Sequence, residues 1–492
     1  MTNTDKNALF KQQKQQYVDS EKQIYQDIDK LFDAESFIEL STFVSGNIAD
    51  QGVVTGYGTI DGRLVYMYSQ DIGKAGGVVN NVAAQKISEV FALATKTGAP
   101  IISILSSHGA QIDQGLDILS GIGKILSSSS QISGAIPQIA VITGPCVGSS
   151  VFIAGLCDFL FMTEDNSSLF LTGPAVTQGQ TDTQTDADLL GSASISAKNG
   201  NTHFTYKTKD DCFISLKKLL GFLPSNNLEI SPPDIYNNDD INRLSEDIIS
   251  IIPNDNSAYD IKSVIKEITD QNDIFEVSEK YAENIVTCYA KLGGMSVGII
   301  ANQPNFQDGY LDIDAVKKSA RFIRICDSFN IPIITFVDVP GFKAGVEQEY
   351  GGISVYGASL AYAYAEATVP KITIIVRRAF GSACLVMCAK SIGADLVFAY
   401  PTAQISVLPP ETAAVILHNE QITQSDNPEI TRAEKINEYT EKSASAYIAA
   451  QYGFIDDIID PAQTRKRLIS AIDVLSGKRD DRIPKKHGNM PV

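Results

Sequence analysis

At 492 residues and 44% hydrophobic content, the chain is too long for one ordinary core and apolar enough to bury two. A formal net charge of −18, with 58 acidic against 40 basic residues, excludes a protein that tracks nucleic-acid phosphates, because such a surface needs clustered Lys and Arg. The start, Met1-Thr-Asn-Thr-Asp-Lys, has no basic segment leading into an apolar one, and no apolar run reaches the roughly 20 residues of a membrane-spanning helix, so a cytoplasmic protein is expected.

The first 45 residues, rich in Lys, Gln, Glu and Asp around Leu9, Phe10, Tyr17, Tyr25, Ile28, Leu31 and Phe32, predict an amphipathic helical arm. From about Val53 to Met162, strand-like runs (Leu64 to Tyr68, Pro100 to Leu105, Gln138 to Thr143, Phe159 to Met162) alternate with helical stretches such as Val82 to Thr95. This is an α/β pattern. Residues 178–272 turn rich in Asn, Asp, Ser and Thr, which places a boundary near 272 and predicts two domains, 46–272 and 273–492. The seven cysteines form no C-x-x-C pair and the four histidines show no ligand spacing, so neither a disulfide framework nor a metal site is expected.

A second α/β series after Gly293-Gly294 echoes the first. Pro100-Ile-Ile-Ser-Ile-Leu-Ser-Ser-His-Gly109 lies 232 positions before Pro332-Ile-Ile-Thr-Phe-Val-Asp-Val-Pro-Gly341, and Pro137 to Ser149 lies 233 positions before Pro370 to Ser382. Two nearly equal offsets predict one fold used twice. In each half an apolar strand leads to a Gly-Ser-small sequence that opens a helix: Gly148-Ser149-Ser150 and Gly381-Ser382-Ala383. Free amides at a helix start favour an anion, and small residues let a substrate oxygen approach, so each turn is a candidate oxyanion hole. Two such turns suit a reaction between two carbonyl-bearing partners. Gly109 and Gly341 are further candidate donors or tight turns, Asp338 and Glu366 candidate acid-base groups, and His108 a candidate base or a structural histidine. Ser149 and Ser382 as nucleophiles are disfavoured, since the chain has no G-x-S-x-G elbow and no histidine is placed to activate them. A hydratase or isomerase needs a carboxylate beside the hole, and the sequence places none there.

Ala301-Asn-Gln-Pro304, Asp338-Val-Pro-Gly-Phe342, Gln348-Glu-Tyr-Gly-Gly352, Tyr364-Ala-Glu-Ala-Thr-Val-Pro370, Ile455-Asp-Asp457 and Lys485-Lys-His-Gly-Asn489 resemble signatures of the carboxyltransferase subunits of biotin-dependent acyl-CoA carboxylases and decarboxylases, of the propionyl-CoA carboxylase beta and methylmalonyl-CoA decarboxylase alpha type. The resemblance implies a duplicated crotonase-like fold of β-β-α units, two homologous domains, and a hexamer with active sites between the N-half of one subunit and the C-half of another. It implies an acyl-CoA, such as propionyl-CoA or methylmalonyl-CoA, on the N-terminal half and biotin entering from the C-terminal half. On matching positions, Gly148 and Ser149 would donate amides to the thioester enolate, and Ser382 and Ala383 to the biotin ureido oxygen. Gly109 and Ala110 match the turn lining the CoA side, Lys86 a lysine near the CoA phosphates, Gly381 the second turn, and Leu385 a position tied to acyl preference. In the family the biotin nitrogen takes the α-proton, which fits the lack of an obvious side-chain base. The chain has no Met-Lys-Met and no ATP-binding region of the biotin-carboxylase kind, so the biotin must sit on a separate carrier protein, with a biotin carboxylase or a membrane decarboxylase subunit as further partner.

The chain also departs from the family. Gly-Gly-Ala becomes Gly-Ser-Ser and Gly-Ser-Ala at the two turns, and the usual Ser-Gly-Gly-Ala-Arg becomes Ser107-His-Gly-Ala-Gln111. Val407-Leu-Pro-Pro-Glu411 replaces a Val-Met-Gly segment, and the N-terminal Arg-Leu-Thr-Ala-Arg-Glu-Arg is missing. An added serine narrows the pocket but keeps its N–H, so the hole survives where the serine φ is negative. The alternative to an active enzyme is a catalytically impaired structural subunit of a carboxyltransferase complex.

Overall fold

Runs rich in Val and Ile form strands because branched side chains pack well on a pleated surface, and runs apolar at every position belong in parallel strands covered on both faces. The computed structural model describes residues 3–44, 52–111, 114–235, 238–480 and 483–492 and has two eight-stranded sheets. The first contains β1 (Ile38–Leu40), β2 (Val53–Ile60), β3 (Arg63–Gln70), β4 (Ile101–Ser107), β5 (Gln138–Val147), β6 (Phe159–Thr163), β7 (Ser168–Phe170) and β8 (Phe204–Tyr206). Their order is β1-β2-β3-β4-β5-β6-β8, with β7 on β5. The second contains β9 (Phe275–Glu276), β10 (Ile285–Leu292), β11 (Met295–Asn302), β12 (Ile333–Val339), β13 (Lys371–Phe380), β14 (Leu396–Ala399), β15 (Gln404–Ser406) and β16 (Asp457–Ile458). It runs β9-β10-β11-β12-β13-β14-β16, with β15 on β13, so the order of the first sheet recurs. In both, the leading strands pair antiparallel and the rest parallel.

The recurrence extends to single residues. The helix α3 (Asn81–Thr97) is capped by Asn80, whose side chain accepts from the Ala83 amide at 2.8 Å, and 232 positions later Asp312 caps Ile313–Ser328 by accepting from Ala315 at 2.9 Å. The register between β4 and β5 shifts between Leu105 and Ser107, and that between β12 and β13 shifts between Val337 and Val339. Each shift bends the strand that leads to a Gly-Ser turn.

The chain divides into two compact units, 1–230 and 231–492. The second starts ahead of the boundary expected near 272, because the helix Ile261–Ile268 buries Ile261, Val264, Ile265 and Ile268 in one core with Val286 and Ile299. Asn/Asp-rich composition therefore marked surface loops, not a linker. In the first unit, α3 and α4 (Leu116–Gln131) cover the sheet with Ile87, Val90, Phe91, Ile118, Ile122 and Ile125. The predicted N-terminal arm is two helices, α1 (Asn3–Ser20) and α2 (Lys22–Leu31). Alpha-1 is mostly exposed, whereas Ile24, Ile28 and Leu31 of α2 are buried, so the arm's second half belongs to the first unit. Its expected end at 45/46 lies outside the described residues.

Candidate active site

The first candidate turn follows from what glycine permits at the end of β5. Gly148 takes φ 64°, a left-handed conformation costly for other residues, and reverses the chain into the short helix α5 (Ser150–Leu156). Ser149 then sits at φ −63°, ψ −20°, an ordinary right-handed conformation. The glycine absorbs the strain, and the serine carries its side chain without any. Among the described residues no backbone acceptor takes the Ser149 amide, as expected at a helix start.

Beside this turn lies the end of β4. Ser107 Oγ is 3.5 Å from Ser150 Oγ, and a Cβ built on Gly109 would stand 3.3 Å from the Val147 carbonyl oxygen. The Gly109 amide is already used, donating to Ser107 Oγ at 3.1 Å, so Gly109 shapes the turn at φ 107° and is not a spare oxyanion donor. Ala110 is half-buried and bridges to Val79. His108 is exposed, donates its amide to the Gly76 carbonyl at 3.0 Å and lies over Gly76.

The second turn repeats the first. Gly381 takes φ 61°, and Ser382, absent from the positive-φ residues, opens the helix Gly381–Val386. Ser382 is exposed, Ala383 buried and Leu385 40% exposed. A Cβ on Gly381 would come within 3.2 Å of the Val407 carbonyl oxygen, so the divergent segment 407–411 borders this turn.

Lys86 is not presented to a ligand in this unit. It is 0% exposed and its Nζ donates to the Val53 carbonyl at 2.8 Å. Lys318, 232 positions later, donates to Ile285 at 2.8 Å, itself 232 positions after Val53. Burial pushes both ammonium groups down to about 8. A contact repeated at the same offset in both units is a tie between helix and hairpin. Lys86→Met should therefore leave the KM for an acyl-CoA within about twofold, where losing a charged phosphate contact would raise it about tenfold or more. Steady-state kinetics on the variant decides between them.

The acid-base candidates are likewise structural. Asp338 is 1% exposed, with Oδ2 3.0 Å from Arg377 Nε and Oδ1 2.7 Å from Arg378 Nε. Both of its carboxylate oxygens are thus taken up by guanidinium groups, as befits a buried counter-ion. Glu366 pairs with Lys485 at 2.6 Å. His203 Nδ1 accepts from the Leu160 amide at 3.0 Å. Sequence reading passed over Arg377 and Arg378, although Arg-Arg where the first half has Gly144-Pro145 was a visible signal.

Two α/β units with the same strand order each end a central strand in a left-handed glycine followed by a serine at a helix start. Residues 15–490 match the Carboxyl transferase domain family. The methylmalonyl-CoA decarboxylase subunit alpha of Veillonella parvula is 47% identical over 475 residues, which cover 94% of this chain and 92% of the relative. The putative propionyl-CoA carboxylase beta chain of Bacillus subtilis is 45% identical, covering 94% and 92%. A crystal structure of transcarboxylase 12S with methylmalonyl-coenzyme A and methylmalonic acid bound is similar with a TM-score of 0.95 and 40% identity, over 100% of this chain and 99% of that one. The chain belongs to the carboxyltransferase family, and it is a carboxyltransferase enzyme.

Proposed function

We propose that this subunit moves a carboxyl group between biotin on a separate carrier protein and a short-chain acyl-CoA, propionyl-CoA or methylmalonyl-CoA. The observation that carries this reading is the Ser149 amide, which has no backbone acceptor among the described residues and follows a left-handed Gly148, with a left-handed Gly381 ahead of Ser382 in the second unit. Removing or adding a carboxyl at the α-carbon of a thioester passes through an enolate, whose oxygen carries the charge. Amides aimed at that oxygen stabilise the transition state more than the ground state. Gly148 and Ser149 would hold the thioester oxygen, with Gly109 and Ala110 fixing the strand end beside them. Ser382 and Ala383 would hold the ureido oxygen of biotin, and Leu385 would border the acyl group. Carboxybiotin supplies the carboxyl group when its carrier docks.

The recurring strand order, caps and strand shifts support a duplicated crotonase-like fold. The 12S relative, whose structure is described as a hexamer assembly, supports a hexamer here. A biotin carboxyl carrier protein and either a biotin carboxylase or a membrane decarboxylase subunit complete the complex. No helix of the described residues is long and apolar enough to cross a membrane. Incubating the purified protein with free biotin and methylmalonyl-CoA should move the carboxyl group to the biotin nitrogen and that nitrogen's proton to the α-carbon, leaving propionyl-CoA and carboxybiotin, which breaks down to biotin and bicarbonate. Absence of both turnover and CoA binding would overturn the reading.

A further inference from the structure

The two turns differ in what supports them from behind. At the strand shift of the first unit, Ser106 packs so closely on Gly144 that a Cβ there would overlap Ser106 Oγ, and no charge is involved. At the matching shift of the second, Asp338 stands in place of Ser106, and Arg377 and Arg378 stand in place of Gly144 and Pro145. Besides the two ion pairs, the Arg378 amide donates to Asp338 Oδ1 at 3.3 Å and the Asp338 amide to Asn302 Oδ1 at 3.3 Å. Arg378 continues to Asp308, with Nη1 2.8 Å from its Oδ2 and Nη2 3.1 Å from its carbonyl oxygen. Arg377 donates to the carbonyls of Asp255 and Ser257 and lies 5.0 Å from the centre of the Tyr259 ring.

The charges do not balance inside the protein. Two guanidinium groups, always protonated, are 6% and 4% exposed. One carboxylate, Asp338, is buried with them, while the second, Asp308, is 42% exposed at its side chain, where water screens it. Counting only the buried groups, one positive charge is in excess near the C-terminal end of β13. Arg378 precedes Gly381 by three residues, roughly 10 Å along a strand.

We infer that Asp338, Arg377 and Arg378 are positioning residues for the second turn: they fix the bend that aims Gly381 to Ala383 and add a positive field there that the first turn lacks. The second turn thereby holds its partner's oxygen with amides and this field together, and the first works by amides alone. This rests on the proposed reading, in which the second turn holds biotin.

The test uses the full-length protein with free biotin and methylmalonyl-CoA, comparing Arg378→Gln, Arg378→Lys and Asp308→Asn. One charge at this range in a protein of effective dielectric about 20 is worth about tenfold in rate. Arg378→Gln should therefore lower kcat/KM for biotin about tenfold and leave the KM for methylmalonyl-CoA within about twofold, and Arg378→Lys should recover most of the loss. Asp308→Asn, at the exposed rim, removes the screened anion and should raise kcat/KM for biotin about twofold. Wild-type protein without turnover defeats the proposed function itself. With wild-type turnover, an equal loss toward both substrates, no recovery in Arg378→Lys, or a fall in Asp308→Asn overturns the inference alone. Should Arg378→Gln not fold, Arg378→Lys and Asp308→Asn still decide by the direction of the biotin effect.

Discussion

Ser149→Pro should lower kcat by about 10²–10³ while leaving the fold intact, because it deletes one oxyanion donor and nothing else that the backbone needs. Ser149 already holds φ −63°, the angle to which a proline ring is locked, and its N–H has no backbone acceptor among the described residues. Proline is also well tolerated at a helix start, and the preceding Gly148 has no Cβ to meet the ring. Ser149→Ala and Ser149→Gly keep the amide and should stay within about threefold of wild type, with Ser149→Gly also widening the pocket. Steady-state kinetics beside circular dichroism separates a lost donor from a lost fold. Wild-type kcat in Ser149→Pro would remove the first turn from the mechanism.

The largest effect on stability is expected at Asp270. This residue is 4% exposed and accepts from the amides of Gly293 and Gly294 at 3.0 and 2.7 Å, closing the β10–β11 hairpin. Its Oδ1 also lies 2.6 Å from Nη2 of Arg465, which is 0% exposed and donates to the carbonyls of Asp240 and Ile268. Asp270→Ala leaves a buried guanidinium without its nearest counter-ion and two turn amides without acceptors, a loss of about 3–5 kcal/mol. For a unit of this size that is roughly 10 °C in Tm. Asp270→Asn keeps an acceptor for one amide and should lose less. An unfolding free energy for Asp270→Ala, from denaturant titration, within about 0.5 kcal/mol of wild type would show that the hairpin does not depend on this pair.

Sequence alone carried the parts of this protein that are local or periodic. Apolar runs of strand length gave β3 to β6, and equal offsets between Pro-to-Gly segments gave the recurrence that the sheets share down to caps and strand shifts. The Gly-Ser turns were legible because a strand, a glycine and a small residue in succession dictate a left-handed reversal at that point. What the tertiary structure decided were the partners of charged side chains, since an ammonium or a carboxylate takes its role from groups distant in sequence. Lys86 matched a ligand lysine by position, yet its reach to Val53 and the parallel reach of Lys318 to Ile285 make it a tie. Asp338 has the composition of a base, and only the bend that brings Arg377 and Arg378 against it turns it into a buried counter-ion. The unit boundary likewise depended on where the helix Ile261–Ile268 found its core, because loop composition reports exposure and not the sheet to which a segment packs. The serines in the two turns fall between these cases. Their identity is in the sequence, but their compatibility with an oxyanion hole rests on φ, which the folded backbone fixed at −63° for Ser149 by assigning the left-handed position to Gly148.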